Sequence, residues 1–224
     1  MISVDTKKKE NIGNYKNKGK EYRQKGKAQK VKVYDFVDKD LGKVAPYGIY
    51  DLSKNECFVN VGISNDTAEF AVNSIRSWWR EMGQKSYKNA PEILITADCG
   101  GSNGNRVRLW KVELQKLADE TEMVINVCHL PPGTSKWNNI EHKMFCHIYK
   151  NWRGKPLITR ETVVNLISNT KMNKGLKIQA KLDETIYPTG KKITYEQLNA
   201  VNLEKSMFHG EWNYRILPRK SALT

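Results

Sequence analysis

"EILITADCGGSNGNRVRLWKVELQKLADETEMVINVCHL", residues 92–130, changes its hydrophobic period twice. The run Glu92–Asp98 is almost wholly apolar, which predicts a short strand covered on both faces. From Asn105 the spacing turns helical, with Val107, Trp110, Leu114, Leu117 and Ala118 on one face. Residues 123–130 then return to a strand pattern. Strand, helix and strand in this order predict α/β layering with a parallel core. Upstream, "NDTAEFAVNSIRSWWREMG" (65–83) reads as a helix striped by Ala71, Ile75, Trp78, Trp79 and Met82, with Asp66 as N-cap and Gly83 as the stop. "VAPYGIYDL" (44–52) and "CFVNVGI" (57–63), joined by "SKNE", predict an antiparallel hairpin, and "MISVD" an abrupt first strand. After Trp152 come a short helix "RETVVNLIS", a strand "LKIQAKL", a helix "TYEQLNAV" opened by a Thr-x-x-Gln capping box, and a closing strand "FHGEWNYRI". The expectation is an α/β fold: a mixed sheet, antiparallel hairpin plus parallel strands, flanked by helices. Residues 1–153 are expected to form the core, with a basic insertion at 7–32. Residues 154–224 are expected to form a small α+β extension packed on it.

Lys and Arg number 38 against 24 Asp and Glu, a net charge of +14. Such a surplus points to a polyanionic partner, nucleic acid before membrane. Much of it lies in "KKKENIGNYKNKGKEYRQKGKAQKVK" (7–32), which reads as a polar hairpin or mobile loop. Lys7, Lys8 and Lys9, with Lys16, Lys18, Lys20, Arg23, Lys25 and Lys27, are the expected phosphate contacts; a merely solvated loop is the competing reading. Four cysteines (Cys57, Cys99, Cys128, Cys146) without a CxxC pair read as reduced thiols of a cytoplasmic protein. No apolar run approaches the roughly 20 residues of a membrane span.

Three acids stand out. Asp98 ends the buried strand, where the carboxyl ends of parallel strands form a ligand edge. Glu141 opens a helix whose ideal wheel groups Ile140, Met144, Phe145, Ile148 and Trp152, and it falls inside that apolar stripe. Asp5 sits in the first strand; by spacing alone Asp51 competes with it. Three carboxylates in one small site repel each other unless cations lie between them. Hard divalent ions such as Mg²⁺ take oxygen ligands and leave positions for phosphate and water. Two such ions about 3.5–4 Å apart would stabilise both oxygens of a phosphodiester displacement. Each acid also has a plainer reading, as a turn or helix cap. In the loop before Glu141, Lys136 and Trp137 could touch a phosphate and stack on a base, while Asn138, Asn139 and His142 could support the metal site. A zinc set of Cys128, His129, His142 and Cys146 is the weaker alternative, lacking paired spacing.

The stretches "SVDTKKKE", "PYGIYDL", "ITADCGGSNGNRVRLWKVELQKLAD", "CHLPPGTSKWNNIEH", "NWRGKPL" and "FHGEWNY" carry a resemblance. The chain resembles the catalytic domain of the ISAzo-type bacterial insertion-sequence transposases, DDE enzymes of RNase H-like fold, and more distantly mariner-like transposases. The resemblance implies Asp5, Asp98 and Glu141 as the DDE triad and metal ligands, selecting Asp5 over Asp51. It also implies two Mg²⁺ ions (Mn²⁺ substituting), cleavage of transposon DNA ends, and attack of the freed 3′-hydroxyl on target DNA. Lys7, Lys8, Lys9, Arg23, Lys136, Trp137 and Asn138 are then the expected DNA contacts. A homodimer and a nucleoid-associated place in a bacterial cytoplasm are compatible with it. Such transposases carry an N-terminal helix-turn-helix region, whereas here Met1 stands four residues before Asp5. A truncated chain lacking specific end binding is therefore expected. A catalytically inactive basic remnant and a metal-dependent nuclease of the same fold are the rival functions.

Overall fold

The period changes at residues 92–130 produce strand β5 (Glu92–Ala97), helix α3 (Arg108–Thr121) and strand β6 (Val124–His129) in the computed structural model, which describes residues 1–34, 36–171 and 175–219. Residues 172–174 and 220–224 of the expected C-terminal extension lie outside the described residues. Upstream strands are β1 (Ile2–Thr6), β2 (Glu10–Asn11), β3 (Lys43–Asp51) and β4 (Glu56–Gly62); downstream are β7 (Lys177–Asp183), β8 (Leu203–Lys205) and β9 (Asn213–Ile216). They form one mixed sheet in the order β7-β4-β3-β1-β5-β6-β9-β8, with β2 pairing to β3. β1, β5 and β6 are mutually parallel, and β3 is antiparallel to both β1 and β4. Strands from beyond residue 153 continue the sheet at both ends: β7 joins β4, and β9 joins β6.

Helices cover the two faces unequally. On one face α1 (Ala68–Trp78) and α3 bury Phe70, Ile75, Trp78, Trp110 and Leu114 against Tyr47, Phe58 and Ile95. On the other, a π-helical turn (Glu141–Phe145), α4 (Cys146–Trp152) and α5 (Arg160–Ser168) bury Ile140, Met144, Ile148, Trp152 and Val163 against Val44, Val59 and Val61. This second layer lies over β3, β4 and β7, so β5 is central in pairing but not covered on both sides. Leu94 is 37 % exposed, and only Ile95 and Ala97 of that strand are fully buried. The expected two-sided cover is thereby corrected.

Several local expectations also shift. Thr67, not Asp66, caps α1, its hydroxyl accepting the Phe70 N–H at 3.3 Å. Gly83 does not stop that helix, which widens into a π-helical turn (Trp79–Gly83) and runs on into α2 (Gln84–Ser86). The capping box of α6 (Tyr195–Asn199) forms as expected between Thr194 and Gln197. The closing strand starts only at Asn213, because His209 adopts a left-handed φ of 47° and residues 206–212 turn the chain back from β8.

The basic segment is docked along part of its length. The Gly154 N–H donates to Lys18 O at 2.9 Å, the Gly13 N–H to Leu157 O at 2.8 Å, and the Asn17 amide to Trp152 O at 3.2 Å. Its far end remains in solvent, with Tyr22 fully exposed.

Candidate active site

The site begins with a missing side chain. Asp5 on β1 pairs directly with Gly48 on β3. A Cβ on Gly48 would stand 2.2 Å from Met144 Cε, 2.8 Å from Phe145 Cζ and 3.0 Å from Ile140 Cδ1. The helix that starts at Glu141 therefore settles onto the sheet beside Asp5 because position 48 is empty. Its first turn is π-helical, the Cys146 N–H reaching back five residues to Glu141 O. Ile140, Met144, Phe145, Ile148 and Trp152 are all buried, as the ideal wheel indicates. The wider turn leaves Glu141 only half-buried and lining a cleft.

Asp98 follows β5, which pairs with β1 through Ile2–Ile95 and Ser3–Thr96. The same parallel direction carries Asp5 and Asp98 past the last paired residues to the same edge of the sheet, where the charge of Asp98 acts on Asp5. Asp5, Asp98 and Glu141 line a single cleft of about 660 Å³, walled by Pro131, Pro132, Asn138 and His142. Among the described residues, none of the three carboxylates has an ion-pair partner.

Neutral donors hold two of them instead, Asp5 and Asp98. The Thr6 N–H donates to Asp5 Oδ1 and the Asn138 amide to Asp5 Oδ2, each at 2.7 Å. Asn138 is buried and its own carbonyl accepts the Ser3 hydroxyl at 3.3 Å, so its side chain faces Asp5, not incoming DNA. The Asn103 amide donates to Asp98 at 2.7 Å. Burial, then the charge of Asp98, pushes the Asp5 carboxyl up to about 7; the Thr6 bond opposes this and Glu141 adds to it. Asp98 is raised by burial against the pull of Asn103 and Gly100. Glu141 is raised by burial against the nearby charge of Lys7.

Among the described residues no three His, Cys, Asp or Glu side chains close together around an ion-sized point. The donor set nonetheless fits hard cations: three carboxylates line one cleft, and carboxylate oxygens are the ligands such ions take. On the α1 side of the sheet the buried Tyr47 hydroxyl has no hydrogen-bond partner among the described residues. Burial raises the Tyr47 phenol, and Asp5, Asp66 and Asp98 raise it further.

The competing acid Asp51 lies at the far end of β3, opposite Ile2. There it accepts the Ser53 N–H at 2.9 Å and the Tyr87 hydroxyl at 2.7 Å, the work of a turn cap. Asp66, which the spacing assigns to a helix cap, instead accepts the Thr6 hydroxyl at 3.2 Å and lines a recess with Asp5 and Asp98. Only the fold reveals that proximity.

A buried hydrogen-bond chain braces Asp98 from behind. Trp110 Nε1–H donates to the Tyr214 hydroxyl at 3.0 Å, and that hydroxyl lies 3.0 Å from His129 Nε2. His129 Nδ1 lies 2.8 Å from Asp98 O. A carbonyl can only accept, so Nδ1 carries the proton and Nε2 takes the Tyr214 O–H. His129 is thus neutral, and burial lowers its pKa in agreement. Tyr214→Phe leaves Trp110 Nε1–H and His129 Nε2 unpaired in the interior. Denaturant unfolding should show a loss of about 2–4 kcal/mol; a change below about 0.5 kcal/mol would contradict this chain of bonds. Both His129 nitrogens being engaged, the zinc quartet has no ligand there. Cys128 Sγ–H donates to Asn213 Oδ1 and Cys146 Sγ–H to His142 O, each at 2.9 Å.

The expected DNA contacts divide. Lys8 and Lys9 are exposed at the recess shared with Asp5 and Asp98. Lys136 and Trp137 are exposed, the ammonium 5.6 Å from the ring centroid. Lys7 is engaged, 2.6 Å from Glu10 and 4.4 Å from the Trp152 ring centroid. Arg23 forks onto Glu21 at 3.0 and 2.8 Å.

Among the described residues no helix is long and apolar enough to cross a membrane. A family model described as a Rhodopirellula transposase DDE domain matches residues 1–218. Comparisons with curated proteins and with solved structures gave no match.

Proposed function

The chain belongs to this transposase DDE-domain family, and from that premise we propose that it cuts phosphodiester bonds at transposon DNA ends and joins the freed 3′-hydroxyl to target DNA. The observation that carries the reading is the convergence of Asp5, Asp98 and Glu141 on one open cleft, with no ion pair to any of the three among the described residues. These three carboxylates would hold two Mg²⁺ ions, with Mn²⁺ able to substitute. Bound there, the ions supply Lewis-acid stabilisation of the attacking and leaving oxygens. The chain's own groups do the positioning. Asn138 and the Thr6 N–H fix the two oxygens of Asp5, Asn103 turns Asp98 toward the cleft, and the Gly48 gap sets the height of Glu141. Lys8, Lys9, Lys136 and Trp137 would meet the DNA backbone and bases. On this reading residues 1–153 carry the catalytic groups, and β7 and β9, from beyond residue 153, brace the sheet that holds them.

Purified protein should nick duplex DNA only with Mg²⁺ or Mn²⁺. Asp98→Asn should lose nicking while its DNA affinity stays unchanged. Retained nicking in that variant would remove Asp98 from the chemistry. A strand-joining assay with pre-cut ends separates transfer from simple hydrolysis, and cutting without joining would reduce the assignment to a nuclease.

A further inference from the structure

The turn between β8 and β9 presents two apolar side chains to solvent, Met207 at 106 % and Phe208 at 73 % relative exposure. Yet the turn is tightly built. His209 stacks on Trp212 at 5.2 Å and 22°, and Phe208 sets its edge against His209 at 4.5 Å. The Asn213 amide donates to Phe208 O at 3.1 Å, and the Phe208 N–H donates to Ser206 Oγ at 3.2 Å. Gly210 is required by close approach, since a Cβ there would lie 2.6 Å from Ser206 O. A pre-ordered apolar tip is presented at little entropic cost.

Its location is informative. β9 starts where β6 ends, Asn213 pairing with Cys128, and the His129 N–H donates to Trp212 O at 3.0 Å. His129 is also bonded to Asp98 O, so two hydrogen bonds connect this turn to the catalytic edge. β9, which the turn leads into, stands two strands from β5 in the sheet, about 10 Å across it. Charges of both signs surround it: Lys205 precedes the turn and lies close enough to Lys111 to lower its pKa, Glu211 lies 3.2 Å from His209, and Arg215 pairs with Glu204.

We propose that Met207 and Phe208 form a wedge that enters the base stack of the DNA duplex lying across the catalytic edge, opening a base step beside the bond to be cut. The proposal rests on the DNA-cutting reading of the Asp98 cleft. A narrow, pre-ordered apolar tip is the form that inserts between base pairs and unstacks them, whereas docking of a protein usually takes a broader apolar face.

Unstacking is easiest where a mismatch has already weakened the stack, so a wedge prefers mismatched DNA. The test compares binding of a matched duplex and the same duplex with one central mismatch, in Ca²⁺ buffer, by full-length wild type and the Met207→Ser/Phe208→Ser double variant. Both side chains are solvent-exposed, so the variant should melt like wild type. Wild type should prefer the mismatched duplex by about tenfold, and the variant should bind both equally, with matched-duplex affinity preserved. The same preference in both proteins, or none in wild type, overturns the wedge; if such a wild type still nicks DNA, the cutting reading survives alone. Equal loss of affinity for both duplexes overturns it in favour of an ordinary surface contact. A shift from dimer to monomer in the variant overturns it in favour of a protein interface. Failure of wild type to bind either duplex overturns both readings.

Discussion

Asp5→Asn is expected to abolish DNA cleavage and, at the same time, to make the metal-free protein more stable at pH 8. The carboxyl is held at about 7, against an ordinary value near 3.8, first by burial and then by Asp98. Between those two values the folded state binds more protons than the unfolded state, so stability falls as pH rises through this window. Asp5 therefore favours folding below about pH 4 and opposes it by up to about 4 kcal/mol above pH 7. Asparagine carries no charge to bury. Its amide would face the Asn138 amide, but Asn138 can flip, offering its carbonyl to position 5 and its NH₂ to the Ser3 hydroxyl, which can accept as well as donate. Thermal melts without divalent ions should show the wild type losing stability between pH 5 and pH 8 and the variant losing much less. At about 2–4 °C per kcal/mol for a chain of this size, the gain at pH 8 should be near 10 °C. Adding Mg²⁺ or Mn²⁺ should raise the melting point of wild type and leave the variant little changed. A variant less stable than wild type at pH 8, or one that still cleaves, would contradict the role given to Asp5.

Gly48→Val is expected to lower stability by about 3 kcal/mol and cleavage by about a hundredfold, although residue 48 touches neither metal nor DNA in the proposed mechanism. The first added carbon would already overlap Met144 Cε and press on Phe145 Cζ and Ile140 Cδ1. Met144 can swing aside, but the Phe145 ring is packed with Ile148 and Trp152 in the same buried cluster. The relief available is to lift the start of the helix, and Glu141 moves with it. Gly48→Ala should fall between valine and wild type, because alanine asks only the flexible methionine end to yield most. Cleavage at the wild-type rate in Gly48→Val would show that the height of this helix does not matter to the chemistry.

The layering was legible along the chain because periodicity reports which face of an element is buried. Residues 92–130 gave β5, α3 and β6, and "RETVVNLIS" gave α5 with the same bounds. The capping box at Thr194 was equally readable, since its partner is three residues away. Patterns of this kind are local, and local physics suffices for them. The π-helical openings at Trp79 and Glu141 were not legible, because a regular wheel assumes one pitch throughout. Nor were the partial cover of β5 and the true cap of α1, which depend on where neighbouring layers end and on what Thr6 requires of Asp66.

The sequence by itself determined the alternation of strands and helices, the basic excess and the acids worth considering. Spacing left Asp5 and Asp51 in competition until the resemblance selected Asp5, and only the tertiary structure shows where each lies: β1 and β3 run antiparallel and carry those two acids to opposite edges of the sheet. The parallel pairing of β1 with β5 likewise brought Asp5 and Asp98 to one edge, and the vacancy at Gly48 let Glu141 approach. Charges distant along a chain acquire a common electrostatic environment only when backbone pairing fixes their separation, and no local pattern encodes that distance.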